Sequence, residues 1–364
     1  MTGSSVAGAQ DVREEDAFDI PAVEAWLQDK VPGQIAEVRQ FSGGASNLTY
    51  LLRVAPTGSA GGGRGTRDLV LRRPPGGTKA KGAHDMAREH RIQESLAPVF
   101  PYVATMVGYC DDLSVIGSEF YVMDRVVGHI PRRELGLDLS PEQVRELCTN
   151  VLDLLVDLHS VDPAEAGLES LGKGEGYVAR QVGGWISRFD KVKTWNVPSW
   201  GRVMRWLDET QPADRRTCLI HNDFRLDNVV LANEDPTRPI ALLDWEMATL
   251  GDPLMDLGSA VSYWVEADDA RLYQRFRMQP SNEPGMLTRH EVVDYYSART
   301  GISLTDEEWA FYEVFGLFRL AVILQQIYYR YHHRQTTNPK FKNYWLGSHV
   351  LHRRARALMR QVGA

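Results

Sequence analysis

Two acidic segments in the second half of the chain carry residue types suited to handling a metal-bound phosphate. The segment LIHNDFRLDNVVLA places His221, Asp223 and Asn228 in the spacing H-x-D-x-x-x-x-N, and ALLDWE contains Asp244. Both contain short apolar runs typical of strands, so we expect these polar residues at strand ends. Phosphoryl transfer from ATP needs a group that orients the attacking hydroxyl and oxygen ligands that hold Mg²⁺. These residues match both needs.

The segment HNDFRLDN resembles the catalytic loop of the aminoglycoside phosphotransferase and choline kinase-like family, with DWE in the place of the metal-binding DFG motif. GDPLMDLG just downstream is also similar to that family. Over most of its length the chain resembles the kinase-like region attached to some acyl-CoA dehydrogenases. The resemblance implies that Asp223 accepts or orients a substrate hydroxyl proton and that Asn228 and Asp244 ligate magnesium. It also implies that Arg225 steadies the transferring phosphate.

The spacing of this loop has a second interpretation, a polar turn whose His and Asp cap local backbone groups. Asp244 after an apolar run and the GDPxxDL run are independent constraints, and they favour the kinase interpretation. By the same resemblance, we expect Asp256 to support the catalytic loop through backbone hydrogen bonds. Asp252 is expected to cap the helix that follows it, and His221 to pack within the loop.

The segment FSGGASNLTYLL near the N-terminus is the candidate phosphate-covering loop. Gly43 and Gly44 permit close backbone approach, and Ser46 and Asn47 carry groups able to hydrogen-bond a phosphate. The loop departs from the pattern GxGxxG, and a hairpin turn without a ligand is the alternative.

A second nucleotide-binding candidate lies in DLVLRRPP, where Arg72 falls at the position of the nucleotide-binding lysine of protein kinases. Glu89 in AREHR is a fitting helix partner, and we expect an ion pair between the two. Arg73 is a possible substitute for Arg72. The alternative is that both arginines are solvated charges on an edge strand.

The run EFYVM followed by DRVVG resembles the hinge of kinases. The resemblance implies that backbone groups near Asp124 and Val126 hydrogen-bond the adenine edge and that Met123 lines the adenine pocket. An apolar residue that ends a strand is more often part of the core, which is the alternative for Met123.

The order of elements predicts an α+β protein with a two-lobed, protein-kinase-like fold. An antiparallel sheet with one helix is expected in the N-lobe, and a mainly helical C-lobe begins with the capped helix after Ser140. We assign residues 1–15 to a mobile tail, 16–125 to the N-lobe with the nucleotide-binding loop, and 126–364 to the C-lobe with the catalytic loop and acceptor site. The glycine-rich run APTGSAGGGRGTRD lacks the Gly-Lys-Ser/Thr ending of a P-loop and is interpreted as a flexible hairpin linker.

Composition limits the partners of the chain. A formal net charge of -7 gives no global basic field for nucleic acid, and three isolated cysteines favour a reducing, cytoplasmic compartment. The N-terminus lacks the apolar core of a signal peptide. The apolar run from Val314 to Tyr329 is interrupted by Arg319, Gln325 and Gln326, so we expect a buried helix and no membrane association. The oligomeric state stays open.

The C-terminal end bears on the acceptor, because residues 319–364 contain nine Lys or Arg, four His and no Asp or Glu. A basic end near the acceptor site would repel polycationic aminoglycosides and favour an anionic acceptor such as a hydroxyacyl-CoA. The alternative is that the arginines of LHRRARALMR lie on the solvated face of a terminal helix.

The sequence therefore predicts an ATP- and Mg²⁺-dependent phosphotransferase that acts on a hydroxyl group of a small molecule. One rival is a nucleotide-binding regulator without turnover, suggested by the atypical glycine loop and Arg72. A second rival is a metal-dependent phosphohydrolase with a two-metal carboxylate site. Its candidate ligands are Asp223, Asp227, Asp244, Asp252 and Asp256.

Overall fold

A computed structural model describes residues 8–41, 47–56, 65–76 and 85–364 of the chain. Gly43, Gly44 and Ser46, named above as phosphate-loop residues, lie outside the described residues, as does 57–64 of the glycine-rich linker. The chain divides into two units, Met1–Val127 and Gly128–Ala364, each of which is described by itself.

The first unit is built on an antiparallel sheet with strand order β1-β2-β3-β4-β6-β5. Its strands are β1 (Ala9–Gln10), β2 (Gln34–Phe41), β3 (Leu48–Ala55), β4 (Arg67–Arg73), β5 (Met106–Cys110) and β6 (Phe120–Asp124), and its helices are α1 (Ile20–Leu27), α2 (Met86–Leu96) and α3 (Leu113–Ile116). Because side chains alternate across a strand, Leu69 and Leu71 of β4 join the core beneath α1, whereas Val70 packs with Met86 of α2 on the other face.

Residues 8–15, predicted above to be part of a mobile tail, lie against this sheet instead. Strand β1 pairs with β2 through Ala9↔Phe41 and Gln10↔Gln40. The buried side chain of Gln40 accepts from the backbone of Arg13 at 3.0 Å and donates to Asp16 at 2.8 Å. These hydrogen bonds offset the entropy lost by ordering a short polar segment.

An aspartate side chain caps the N-terminus of each of the helices α1 and α2 in the first unit. Asp19 accepts from the backbone N–H of Ala22 at the start of α1, and Asp85 accepts from the backbone N–H of Arg88 at the start of α2. The apolar face of α2, which includes Ile92 and Leu96, is buried.

The second unit is mainly helical. Its helices are α4 (Pro141–Ser160), α5 (Tyr177–Val192), α6 (Gly201–Glu209), α7 (Pro253–Val261), α8 (Arg271–Arg275), α9 (Arg289–Thr300), α10 (Asp306–His332) and α11 (Tyr344–Gln361), and its strands are β7 (Cys218–Ile220), β8 (Val229–Leu231), β9 (Pro239–Leu242) and β10 (Thr249–Gly251). The capping box of Ser140 and Gln143 begins α4. The sequence did not predict β10, which pairs with β7 over three residues. A sheet unit followed by a mainly helical one confirms the predicted α+β class.

Helix α10 is long and apolar enough to cross a membrane by length and composition alone, but 78% of its most apolar window is buried within the protein. Helices α10 and α7 pack closely where Gly316 of α10 faces Gly258 of α7. A Cβ added at Gly316 would lie 2.1 Å from the Gly258 carbonyl oxygen. The prediction of a buried helix here is confirmed.

Candidate active site

The catalytic loop leaves β7 after Ile220 and is held by contacts to its own backbone. His221 is fully buried, and its Nε2 lies 3.0 Å from the carbonyl oxygen of Leu243. The backbone N–H groups of His221 and Asn222 donate to the carboxylate of Asp256 at 2.7 and 2.8 Å. These are the packing contact and the supporting bonds that the sequence predicted for His221 and Asp256.

Asp256 stays ionised although its side chain is fully buried. Burial opposes its charge, but His159, with Nε2 at 3.2 Å, and the backbone donors of the loop outweigh that cost and hold the pKa of Asp256 below its usual value. A buried carboxylate with this many donors is a rigid anchor for the loop.

Asn222 adopts a left-handed backbone conformation, with φ of 65°, immediately before Asp223. Its side chain accepts from the Tyr177 hydroxyl at 3.0 Å and donates to the Met247 carbonyl at 3.1 Å. Its own carbonyl accepts from Arg319 at 2.7 Å. Such strain in a non-glycine residue persists only where surrounding contacts fix it, and it is concentrated at functional sites.

Asp223 and Asn228 are brought together by the 3-10 turn Leu226–Asn228. The Asn228 amide nitrogen donates to the Asp223 carbonyl at 2.8 Å and to its carboxylate at 3.2 Å. The Asp223 side chain stays 22% exposed, so its carboxylate is accessible to a small molecule. Both bonds use the nitrogen of Asn228, which leaves the amide oxygen as the atom suited to a cation.

Asp244 follows β9, whose pairing with β8 places Leu242 opposite Val229 and lets Leu243 donate to the Asn228 carbonyl at 2.7 Å. Asp244 is also left-handed, with φ of 69°. The donor set of one amide oxygen and one carboxylate fits Mg²⁺, which takes few protein ligands and keeps substrate phosphates and water in its shell.

Arg225 lies among acidic groups and against an aromatic ring. Its guanidinium is 3.4 Å from Asp223, 3.2 Å from Asp227 and 4.8 Å from the ring centre of Tyr263. Burial disfavours this charge, but Asp223 and the other neighbouring acidic groups, Asp244 among them, outweigh it and raise the pKa of Arg225. Its role at a phosphate stays a prediction.

Two of the five carboxylates proposed for a two-metal hydrolase, Asp252 and Asp256, are engaged in other contacts. Asp252 is buried and accepts from the backbone of Leu254, Met255 and Arg215, so it caps α7 as predicted. Asp256 is used by the loop. Among the described residues, no group of three or more His, Cys, Asp or Glu side chains is arranged to hold a metal.

The first unit contains a buried polar cluster centred on Glu89, which is 1% exposed. The expected ion pair is present, with the Arg72 guanidinium 3.7 Å from Glu89. Asn47 and Tyr121 also donate to Glu89, at 2.7 and 2.9 Å. Asn47 was predicted to meet a phosphate, but its amide is buried against Glu89 instead because a buried carboxylate requires donors.

Arg73 lies on the opposite face of β4 from Arg72. It donates to the Tyr50 hydroxyl at 3.1 Å and to the Asp16 carbonyl at 2.6 Å. Because consecutive strand residues point to opposite faces, only one of these arginines can share a face with Glu89. Arg72 is therefore the candidate for a nucleotide contact, and Arg73 is not its substitute.

The predicted hinge residues have different surroundings. Met123 is 8% exposed and packs with Val70 and Tyr121, as expected from the alternative that this residue belongs to the core. The backbone N–H of Asp124 donates to the Thr105 carbonyl at 2.8 Å, and its carboxylate pairs with Arg67. That N–H is thus already used, which makes Val126 the remaining candidate of the two for an adenine contact.

The basic C-terminal residues do not converge on the catalytic loop. Arg354 pairs with Glu313 on α10, and Arg353 and Arg360 are exposed. His332, Arg334 and Lys342 instead line a separate cavity of about 660 Å³ at the end of α10. Arg319 of this segment contacts the loop, although in the sequence it is visible only as an interruption of an apolar run.

A sheet unit, a mainly helical unit and an H-x-D-x-x-x-x-N loop held by Asp256 and Arg319 are the features of a kinase-like architecture. The model of the phosphotransferase enzyme family, APH, matches residues 37–291. The chain belongs to this family.

Three similar proteins illustrate the relationship. Acyl-CoA dehydrogenase family member 10 of Mus musculus is 35% identical over 329 residues, 89% of this chain, but the chain spans only 30% of that protein. A protein of Ralstonia eutropha JMP134, named provisionally as an aminoglycoside phosphotransferase, is 28% identical, with a TM-score of 0.76 over 95% of this chain and 99% of that one. Choline kinase of Cryptosporidium parvum shares the fold at 11% identity, with a TM-score of 0.64 over 95% and 97%. The kinase-like fold is thereby confirmed.

Proposed function

We propose that the chain is a kinase that uses ATP and Mg²⁺ to phosphorylate a hydroxyl group of a small molecule. The observation that carries the proposal is the position of Asn228 between the two acidic residues. Its side-chain amide donates to the carbonyl and the carboxylate of Asp223 at 2.8 and 3.2 Å, and its backbone carbonyl accepts from the N–H of Leu243, the residue before Asp244. A carboxylate suited to a hydroxyl proton thus lies beside oxygen ligands suited to Mg²⁺.

In the proposed reaction, Asp223 orients the acceptor hydroxyl and receives its proton. The hydroxyl oxygen forms a bond to the γ-phosphorus, the bond from that phosphorus to the bridging oxygen breaks, and ADP leaves. Arg225 holds positive charge 3.4 Å from Asp223. Bound Mg²⁺ would neutralise phosphate charge, with Asn228 and Asp244 as its protein ligands. In the first unit, we assign a nucleotide phosphate contact to Arg72, which Glu89 orients.

The acceptor that we propose is a hydroxyacyl-CoA. Its support is the similarity to acyl-CoA dehydrogenase family member 10, in which the matched region is joined to a longer chain. A kinase region within a protein named for acyl-CoA chemistry favours an acceptor of the same chemical class, and such an acceptor is anionic.

The test is to incubate the purified protein with Mg²⁺, ATP and a panel of aminoglycosides, choline-like alcohols, sugars and hydroxyacyl-CoAs. Mass spectrometry detects a gain of one phosphoryl group, and Asp223→Asn serves as the inactive control. We expect product from the hydroxyacyl-CoAs with the unmodified protein alone. Product from aminoglycosides alone would reject the acceptor class but retain the kinase.

A nucleotide-binding regulator without turnover is the second candidate, because Arg72 stands where protein kinases have lysine. Calorimetry with ATP separates the two. Tight ATP binding with no phosphorylated product across the panel would favour the regulator.

A further inference from the structure

Arg319 of α10 carries a buried charge directly beside the catalytic loop. Its side chain is 5% exposed, and it donates to the carbonyl of Asn222 at 2.7 Å, one residue before Asp223. Burial raises the pKa of the Tyr263 hydroxyl, and Asp223 raises it further, whereas Arg225 and Arg319 act in the opposite direction. Arg319 therefore belongs to the surroundings of the reacting groups.

Trp185 of α5 joins Arg319 to a second arginine. The Arg319 guanidinium lies 5.4 Å from the centre of the Trp185 ring, and the Arg188 guanidinium lies 4.7 Å from it. Trp185 is 7% exposed, whereas Arg188 is exposed. An indole ring in contact with two cations partly offsets their charge and fixes their positions.

Neither cation has an acidic partner within the described residues, where their contacts are Trp185 and, for Arg319, the Asn222 carbonyl. The other buried arginines of this unit are neutralised, since Arg277 pairs with Glu134 and Arg289 pairs with Glu266 and Asp269. A buried charge is costly unless an opposite charge accompanies it. Because no acidic side chain of the described residues accompanies Arg319, we expect an anionic group of a ligand to do so.

We propose that Arg319 and Arg188, together with Trp185, recognise an anionic group of the acceptor, either a carboxylate or a phosphate. The guanidinium fork offers paired N–H donors that match both groups. The inference rests on the kinase function proposed above and names the charge class that this site selects. The proposed site predicts weak binding of polycationic acceptors, because Arg319 and Arg188 carry charges that no acidic side chain of the described residues neutralises.

The test compares matched acceptors that differ in charge. 3-Hydroxybutyrate carries a carboxylate, and 1,3-butanediol is its neutral counterpart. 3-Hydroxybutyryl-CoA carries phosphates, and 3-hydroxybutyryl-pantetheine lacks them. Transfer from ATP is measured with the full chain, with Arg319→Gln and with Arg188→Gln. Arg188→Gln keeps the inference testable if the buried variant fails to fold.

We expect both variants to reduce the preference for the anionic member of a pair by about 10- to 100-fold, chiefly through KM. If the variants lose the preference for 3-hydroxybutyrate over 1,3-butanediol, the recognised anion is a carboxylate. If they lose the preference for 3-hydroxybutyryl-CoA over 3-hydroxybutyryl-pantetheine, the recognised anions are the CoA phosphates. Arg319→Lys should restore part of the preference. Lys191→Gln on α5 and Arg330→Gln on α10 remove equal charge at exposed positions and should leave it unchanged.

Two outcomes overturn the inference while the kinase function stands. One is an unchanged preference in both variants. The other is an equal loss on anionic and neutral acceptors, which would mean that Arg319 only positions the catalytic loop. Absence of phosphorylated product from the unmodified protein with all four acceptors and with the wider panel would instead reject the kinase function, and the inference with it.

Discussion

Asp256 binds the backbone N–H of Asn222 at 2.8 Å across 34 residues of sequence. With the bond to His221, it connects the start of α7 to the residue before Asp223. Asn222 is held in a left-handed conformation by this contact and by Tyr177, Met247 and Arg319. The position of Asp223 thus depends on a buried carboxylate that is distant in sequence.

Asp256→Asn should lower the free energy of unfolding by about 2–4 kcal/mol at pH 7, because charge-assisted bonds to the loop are lost. The folded pKa of Asp256 is lowered, since His159 and the backbone donors outweigh burial. Its ionised form therefore adds stability above the unfolded pKa of about 3.9 and loses it as pH falls through the folded value. Urea unfolding from pH 7 to pH 3 should show the deficit shrinking, and a deficit constant with pH would contradict this. Asp208→Asn, exposed on α6, is the control.

Asp223→Asn and Asp244→Asn should suppress phosphoryl transfer by about 10³-fold for different reasons. Asp223→Asn removes the group that receives the hydroxyl proton, so added Mg²⁺ should not restore activity. Asp244→Asn weakens a metal ligand, so activity should recover in part as Mg²⁺ is raised. Initial rates over a Mg²⁺ titration measure this, with circular dichroism to show that both variants fold. Full activity in both would refute the site assignment.

The sequence predicted the main elements that carry the site because their local signals are strong. Ser140 marked the start of α4, and the H-x-D-x-x-x-x-N spacing located the catalytic loop. Each signal depends on residues a few positions apart, where capping and periodicity act.

Contacts between distant segments could not be predicted in the same way. Asn47 was assigned to a phosphate because nothing in its own segment shows that Glu89, 42 residues away, takes its amide. Arg319 looked like an interruption of an apolar run, since its contact with Asn222 spans 97 residues. A lone arginine within an apolar helix is nevertheless a signal, because a buried charge requires a partner.

Arg72→Met should weaken ATP binding by about 10-fold or more, whereas Arg73→Met should leave it unchanged. Arg72 shares a strand face with Glu89, and Arg73 bonds Tyr50 and Asp16 on the other face. Arg72→Met also removes the Arg72 cation from beside the buried Glu89 carboxylate, at a cost of about 3–5 kcal/mol in stability. Calorimetric ATP affinity should therefore be measured at a temperature where both variants are folded. If Arg73→Met weakened ATP binding and Arg72→Met did not, Arg73 and not Arg72 would be the residue that contacts the nucleotide.

Gly316→Ala should destabilise the second unit by about 1–3 kcal/mol, because its Cβ would lie 2.1 Å from the Gly258 carbonyl oxygen. The crossing of α7 and α10 at this point sets the spacing between Asp256 and Arg319, which both hold the catalytic loop. We therefore expect slower phosphoryl transfer as well as a lower Tm. Gly183→Ala, in open space on α5, is the matched control and should raise stability by about 0.5–1 kcal/mol. Equal effects of the two substitutions would show that close contact of the helices does not position the loop.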